Sequence, residues 1–186
     1  MRHKTVIYIH GFGSSSLSKK AQILKERYGR DIVIPSLPNI PKLAIESLKE
    51  IIESLLRFGD VQLIGASLGG YYALHLQTLY NLKAVVINPA VKPHIRLKEA
   101  LPSGINYYDN SRYDWRDEYL NDLKEMQIDW NNQDTLLLIQ SGDEVLNYKE
   151  AISKLSKAQL YLEEGGNHSF QGFENHLDKI DRFFLS

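Results

Sequence analysis

Six short apolar runs, rich in β-branched residues, are spaced along this chain with helical patterns between most of them. The runs are Thr5–Ile9, Asp31–Ile34, Val61–Gly65, Ala84–Ile87, Thr135–Gln140 and Gln159–Leu162. The helical patterns are Leu17–Tyr28, Pro41–Phe58, Leu68–Tyr80, Lys149–Leu155 and Gly172–Phe184. In the second, Leu48, Ile51, Ile52, Leu55 and Leu56 recur at helical spacing, and Pro41 suits a first turn. Strands that alternate with helices predict a mostly parallel sheet, because parallel neighbours need a crossover and the crossover helices cover both faces.

Length and composition narrow the classes. The 186 residues suit one domain with a substantial core. A formal net charge of −1 offers no bulk attraction to nucleic acid or anionic lipid. The chain has no cysteine, which excludes disulfides, thiolate metal sites and a cysteine nucleophile together. No stretch approaches a membrane span, and Met1-Arg2-His3-Lys4 leads into an apolar run too short for a signal-peptide core. A cytoplasmic protein is expected. No internal repeat, low-complexity tract or linker divides residues 1–186.

The third apolar run meets Gly65-Ala66-Ser67-Leu68-Gly69, with a helical pattern behind it. Gly-x-Ser-x-Gly alone recurs by chance; between a strand and a helix it reads as a nucleophile elbow. Such a turn places its serine in strained backbone that neighbouring chain must approach closely, and glycine permits both. It also leaves Ser67 at a helix start, where free N–H groups and the positive dipole end favour a developing anion. Ser67 is the candidate nucleophile.

Three loops at carboxyl ends of predicted strands supply partners, since ligands of parallel sheets bind outside those ends. His10-Gly11-Phe12-Gly13 follows the first strand and can aim backbone N–H groups at the elbow. The N–H groups of Phe12 and Leu68 are the candidate oxyanion donors. His10 reads as a structural residue of that loop. Ser141-Gly142-Asp143-Glu144 follows the fifth strand, and Asp143 is the candidate acid, with Glu144 its rival. Gly165-Gly166-Asn167-His168 follows the sixth, and His168 is the candidate base. His75 and His176 fall in helical patterns, away from the candidate loops. The order Ser…Asp…His is that of the α/β-hydrolases.

Taken in order, His-Gly-Phe, Gly-Ala-Ser-Leu-Gly-Gly-Tyr-Tyr, Val-Ile-Asn-Pro-Ala-Val-Lys-Pro, Ser-Gly-Asp-Glu-Val-Leu and Glu-Gly-Gly-Asn-His-Ser-Phe resemble the YqiA/YcfP family of small bacterial esterases. The resemblance runs from about Tyr8 to Phe173. It implies a compact α/β-hydrolase lacking the first two strands of the larger fold. It also implies a triad of Ser67, Asp143 and His168, and hydrolysis of acyl esters, with acyl-CoA thioesters a further class. The family commonly carries Asp where this chain has Asn147. No metal or cofactor is called for, and the expected partner is a small-molecule ester or thioester.

Residues 90–134 exceed what one crossover needs. Trp115, Tyr119, Leu123 and Met126 lie at helical spacing there. They form either a small helical cap lining an acyl pocket or a stripe that packs a helix onto the sheet. Tyr71, Tyr72 and Trp115 are the candidate pocket residues. Two other functions stay open: a peptidase or amidase using the same triad, and a binding or regulatory protein on a hydrolase scaffold.

Overall fold

Successive residues of the first strand serve different layers. The computed structural model describes residues 3–127, 129–130 and 133–186. In β1 (His3–Ile9), Ile7 and Ile9 point into one apolar layer, while Val6 and Tyr8 point into another. The same alternation continues through β3 (Gly59–Ala66), β4 (Lys83–Ile87) and β7 (Thr135–Gln140). Side chains on a strand alternate faces, so strands that are apolar throughout must be covered on both sides.

One layer is closed by α2 (Pro41–Leu56), α3 (Leu68–Tyr80) and α6 (Tyr148–Lys154). The other is closed by α1 (Lys19–Tyr28) and α7 (Leu177–Leu185). Local chemistry sets several helix ends. Ser18 accepts the Ala21 N–H at the start of α1, Pro41 opens α2, and Asn147 accepts the Lys149 N–H at 3.1 Å to start α6.

With β2 (Ile32–Val33) and β8 (Gln159–Glu163), the six strands lie in the order β2-β1-β3-β4-β7-β8, every neighbouring pair parallel. The chain steps outward from β1 to β2, then returns to build everything else beyond β3. That reversal makes a crevice at the carboxyl ends of β1 and β3. The predicted parallel sheet flanked by helices is the one observed, and the strand Thr135–Gln140 and helix Leu68–Tyr80 keep their predicted bounds.

The long insertion holds α4 (Pro93–Arg96), a 3-10 turn at Leu97–Ala100, an antiparallel pair β5 (Ser103–Ile105) and β6 (Arg112–Asp114), and α5 (Asp117–Glu125). The hairpin is absent from the sequence reading, because three-residue strands carry too little alternation to register. Tyr119, Leu120 and Leu123 of α5 are buried in the layer that holds α2 and α3. Trp115 precedes that helix rather than belonging to it. Among the described residues no helix is long and apolar enough to cross a membrane.

Candidate active site

β3 stops at Ala66 and α3 starts at Leu68, leaving Ser67 alone in the turn. Its backbone sits at φ 54°, ψ −120°, a region costing a non-glycine residue about 1–3 kcal/mol. Close packing holds it there. A Cβ on Gly69 would lie 2.0 Å from the Ile9 carbonyl oxygen, and one on Gly65 would lie 2.3 Å from that of Gly69. Only glycine allows the elbow to press against β1 this tightly. The Leu68 N–H, at the first position of α3, has no carbonyl of its own helix to bond.

His168 reaches this turn from the loop after β8. Its Nε2 stands 3.1 Å from Ser67 Oγ. Its Nδ1 stands 2.8 Å and 3.0 Å from the two carboxylate oxygens of Asp143. An ionised carboxylate only accepts, so Nδ1 carries the proton and Nε2 presents its lone pair to the serine. Asp143 Oδ1 also accepts the N–H groups of Val145 and Leu146 at 2.9 and 2.8 Å. Burial pushes the Asp143 carboxyl up, but the His168 bond and these two amides outweigh it and hold the carboxyl below its ordinary range.

Glu144, the rival acid, does not reach the ring. It accepts the main-chain N–H of His168 at 2.9 Å, and that bond lowers its pKa. Asn147 is the helix cap described above.

The loop after β1 closes the other side. A Cβ on Gly11 would come 3.2 Å from the Ser67 Cβ, so this loop abuts the nucleophile directly. His10 is buried there. Its Nδ1 lies 3.0 Å from the Gly11 carbonyl, and its Nε2 accepts the Leu37 N–H at 3.3 Å. This ring braces the loop rather than facing the serine, and burial lowers its pKa. Phe12 stacks edge-on against Trp115 and Tyr113, with centroids 4.8 and 5.8 Å apart.

The three rings expected to shape a pocket are buried. Tyr71 is 0% exposed, Tyr72 4% and Trp115 1%. Helix α3 packs on β3 and β4, and Tyr71 donates its hydroxyl proton to the Leu123 carbonyl. Trp115 donates its indole N–H to the Leu97 carbonyl at 2.9 Å. All three rings are thus packed within the fold, those of Tyr71 and Trp115 also held by hydrogen bonds.

Sequence reasoning also missed the residues that hold the histidine loop. The buried Gln140 amide accepts the N–H groups of Asn167 and Gln171 at 3.1 and 2.8 Å, and donates to Glu163 and the Gln171 carbonyl at 2.9 and 2.8 Å. Lys20 donates to the Ser169 carbonyl, and burial lowers its amine to about 8. The available signal was an uncharged polar residue directly after the apolar run Leu136–Ile139, since a buried amide must find partners. His176 is a further correction: although it lies in a helical pattern expected to stand away from the loops, its ring packs 5.2 Å from that of Phe170 in the histidine loop, and its Nε2 lies 3.2 Å from Glu163. Among the described residues no group of three or more His, Asp or Glu is placed to hold a metal ion.

A model described as Uncharacterised protein family (UPF0227) matches residues 5–185. UPF0227 protein YcfP of Escherichia coli O9:H4 (strain HS) is 23% identical over 184 residues, covering 96% of this chain and 97% of the relative. Among solved structures, Est1E from Butyrivibrio proteoclasticus with ferulic acid bound aligns at TM-score 0.76 and 15% identity, over 99% of this chain and 89% of that one. A monoacylglycerol lipase from Paleococcus ferrophilus aligns at TM-score 0.68 and 15% identity, over 100% and 97%. The relatives match the family whose motifs the chain resembles, and the structural likeness is that of the α/β-hydrolase fold.

Proposed function

The chain belongs to the Uncharacterised protein family (UPF0227), and from its site we propose that it is a serine hydrolase of carboxylic esters, with acyl thioesters a second substrate class. The observation that carries this reading is the continuous contact from Asp143 through His168 to Ser67. The esterase and lipase among its structural neighbours support it.

In this reading His168 Nε2 takes the Ser67 proton as Oγ attacks the acyl carbonyl. The Leu68 and Phe12 N–H groups hold the oxyanion, each worth about 10²–10³-fold in turnover by analogy with other oxyanion donors. Asp143 keeps the imidazole in the required tautomer and stabilises its charged form. His168 then protonates the departing alcohol or thiol, and water repeats the sequence to release the acid. Residues 1–186 act as one hydrolase unit, with 90–134 as its insertion beside the site.

The test treats wild type and Ser67→Ala with a fluorophosphonate, locates the adduct by mass spectrometry, and runs p-nitrophenyl esters of graded length beside a thioester and an anilide. An adduct on Ser67, with ester turnover reduced by several orders of magnitude in the variant, is expected. Full activity in Ser67→Ala would overturn the assignment. Preferential anilide cleavage would move the reading to an amidase. No adduct on folded wild type would favour a binding protein.

A further inference from the structure

Ser67 and His168 lie 101 residues apart in the chain, yet both are tied to the four residues that follow and end β4. The Ser67 N–H donates to the Ile87 carbonyl at 3.1 Å, and the Ser67 carbonyl accepts the Ala90 N–H at 3.1 Å. Between these two anchors Asn88 turns its side chain toward the histidine loop. Its Nδ2 donates to the carbonyls of Asn167 and His168 at 3.0 and 3.2 Å. Its Oδ1 accepts the Gln140 N–H at 3.0 Å, and its own N–H donates to the Leu138 carbonyl at 2.9 Å. Asn88 is 2% exposed and holds φ 38°, a left-handed backbone that asparagine tolerates better than most side chains. Pro89 presses on the elbow from the same segment, since a Cβ on Gly70 would come 2.8 Å from the Pro89 Cβ.

We infer that Asn88 is a positioning residue that sets the approach of His168 to Ser67. The inference rests on the proposal that these two side chains work as a pair. The main chain of residues 87–90 grips the serine, and the side chain at its centre grips the histidine. The job requires one short side chain with two donor protons and an acceptor. Aspartate has no proton to give and would set negative charge against two carbonyl oxygens. Leucine has the shape and none of the bonds. The Asn167 carbonyl also accepts the Phe170 N–H at 2.9 Å, so the His168 carbonyl is the group that depends most on Asn88.

Displacing a catalytic group by about 1 Å can cost about 100-fold in rate, far more than a uniform loss of stability costs a protein that remains folded. Asn88→Ala and Asn88→Asp are compared with Leu24→Ala, a cavity variant in the layer beneath α1. Three quantities are read: kcat and KM on p-nitrophenyl butyrate, the thermal midpoint, and the proton resonance of His168 Nδ1. The Asn88 variants should lose about 30–100-fold in kcat with KM nearly unchanged, and the His168 proton should shift or broaden. Leu24→Ala should lower the midpoint and leave kcat and the resonance in place. Should Asn88→Ala fail to accumulate as folded protein, Asn88→Ser, which keeps one donor, is read the same way. An Asn88 variant that behaves like Leu24→Ala, with kcat and the ring proton unmoved, overturns the inference. If wild type shows no Ser67-dependent turnover, the hydrolase reading fails separately, and the ring proton alone decides Asn88: moved supports the inference, unmoved overturns it.

Discussion

Asp143 presents both carboxylate oxygens to one nitrogen of His168, at 2.8 and 3.0 Å. The contact depends on the acid being ionised. Asn at this position keeps an oxygen for the Val145 and Leu146 amides but offers the ring a neutral partner that can also donate, which permits the wrong tautomer. Asp143→Asn should therefore fold and lose about 10⁴-fold in kcat, measured on the ester that wild type turns over best. The same group sets an acid limit. A carboxyl held below its ordinary pKa binds fewer protons folded than unfolded, so it stabilises the fold above its unfolded pKa of about 3.9. That contribution disappears as pH falls through the folded value. Urea midpoints of wild type and Asp143→Asn should thus differ at about pH 6, and the difference should shrink as pH falls below about 3.9.

The strained turn makes opposite demands on chemistry and stability. At φ 54°, ψ −120°, Ser67 pays for a conformation that glycine adopts freely. Alanine removes the nucleophile and keeps the strain; glycine removes both. Ser67→Gly should exceed Ser67→Ala in unfolding free energy by about 1 kcal/mol, after its greater chain entropy is subtracted. Neither should turn over substrate. Paired denaturant titrations provide the comparison, and an alanine variant as stable as the glycine variant would show that the turn stores no strain.

Burial lowers the pKa of His10, His75, His94 and His176. Below about pH 6.5 the unfolded chain gains protons on these rings while the folded chain resists them. Stability from this source is complete above that pH and declines as pH drops toward the folded values. The urea midpoint should be lower at about pH 5.5 than at about pH 7.5. His10 has an added reason to stay neutral, because a protonated Nε2 could no longer accept the Leu37 N–H. His10→Asn should flatten the pH slope.

Trp115 lies beneath Phe12 and almost wholly out of solvent. Trp115→Ala should destabilise the fold by about 3–5 kcal/mol, read from chemical unfolding. Any change it makes in acyl-chain preference should pass through a displaced Phe12, and Phe12→Ala should reproduce that change. A Trp115 variant of native stability with altered preference would return Trp115 to the pocket wall.

The sheet was legible because its strands are apolar on both faces and its crossovers are helical; Thr135–Gln140 stood out even without alternation. The elbow and its two partner loops were legible because each follows a strand and carries a residue type with few structural uses there. What stayed hidden depends on distance in space. Nothing near Asn88 or Gln140 in the chain shows that their amides meet the histidine loop. His176 reads as a helical residue until the fold sets its ring against Phe170, Tyr161 and Glu163. The spacing of Trp115 with Tyr119 suggested one helix, but the N-terminus of α5 falls between them. Tyr71 and Tyr72 adjoin Ser67 in sequence, yet the depth to which α3 is packed turns them inward.

β8 is bonded to the sheet along one side only, through β7, and Leu160 and Leu162 remain 44% and 46% exposed. The loop bearing His168 leaves directly from this margin, whereas Ser67 stands at the end of an interior strand. Margins open before centres do when a fold is warmed. The histidine thus hangs from one of the two edges of the sheet, and heating should silence the site at a temperature where most of the sheet is still intact.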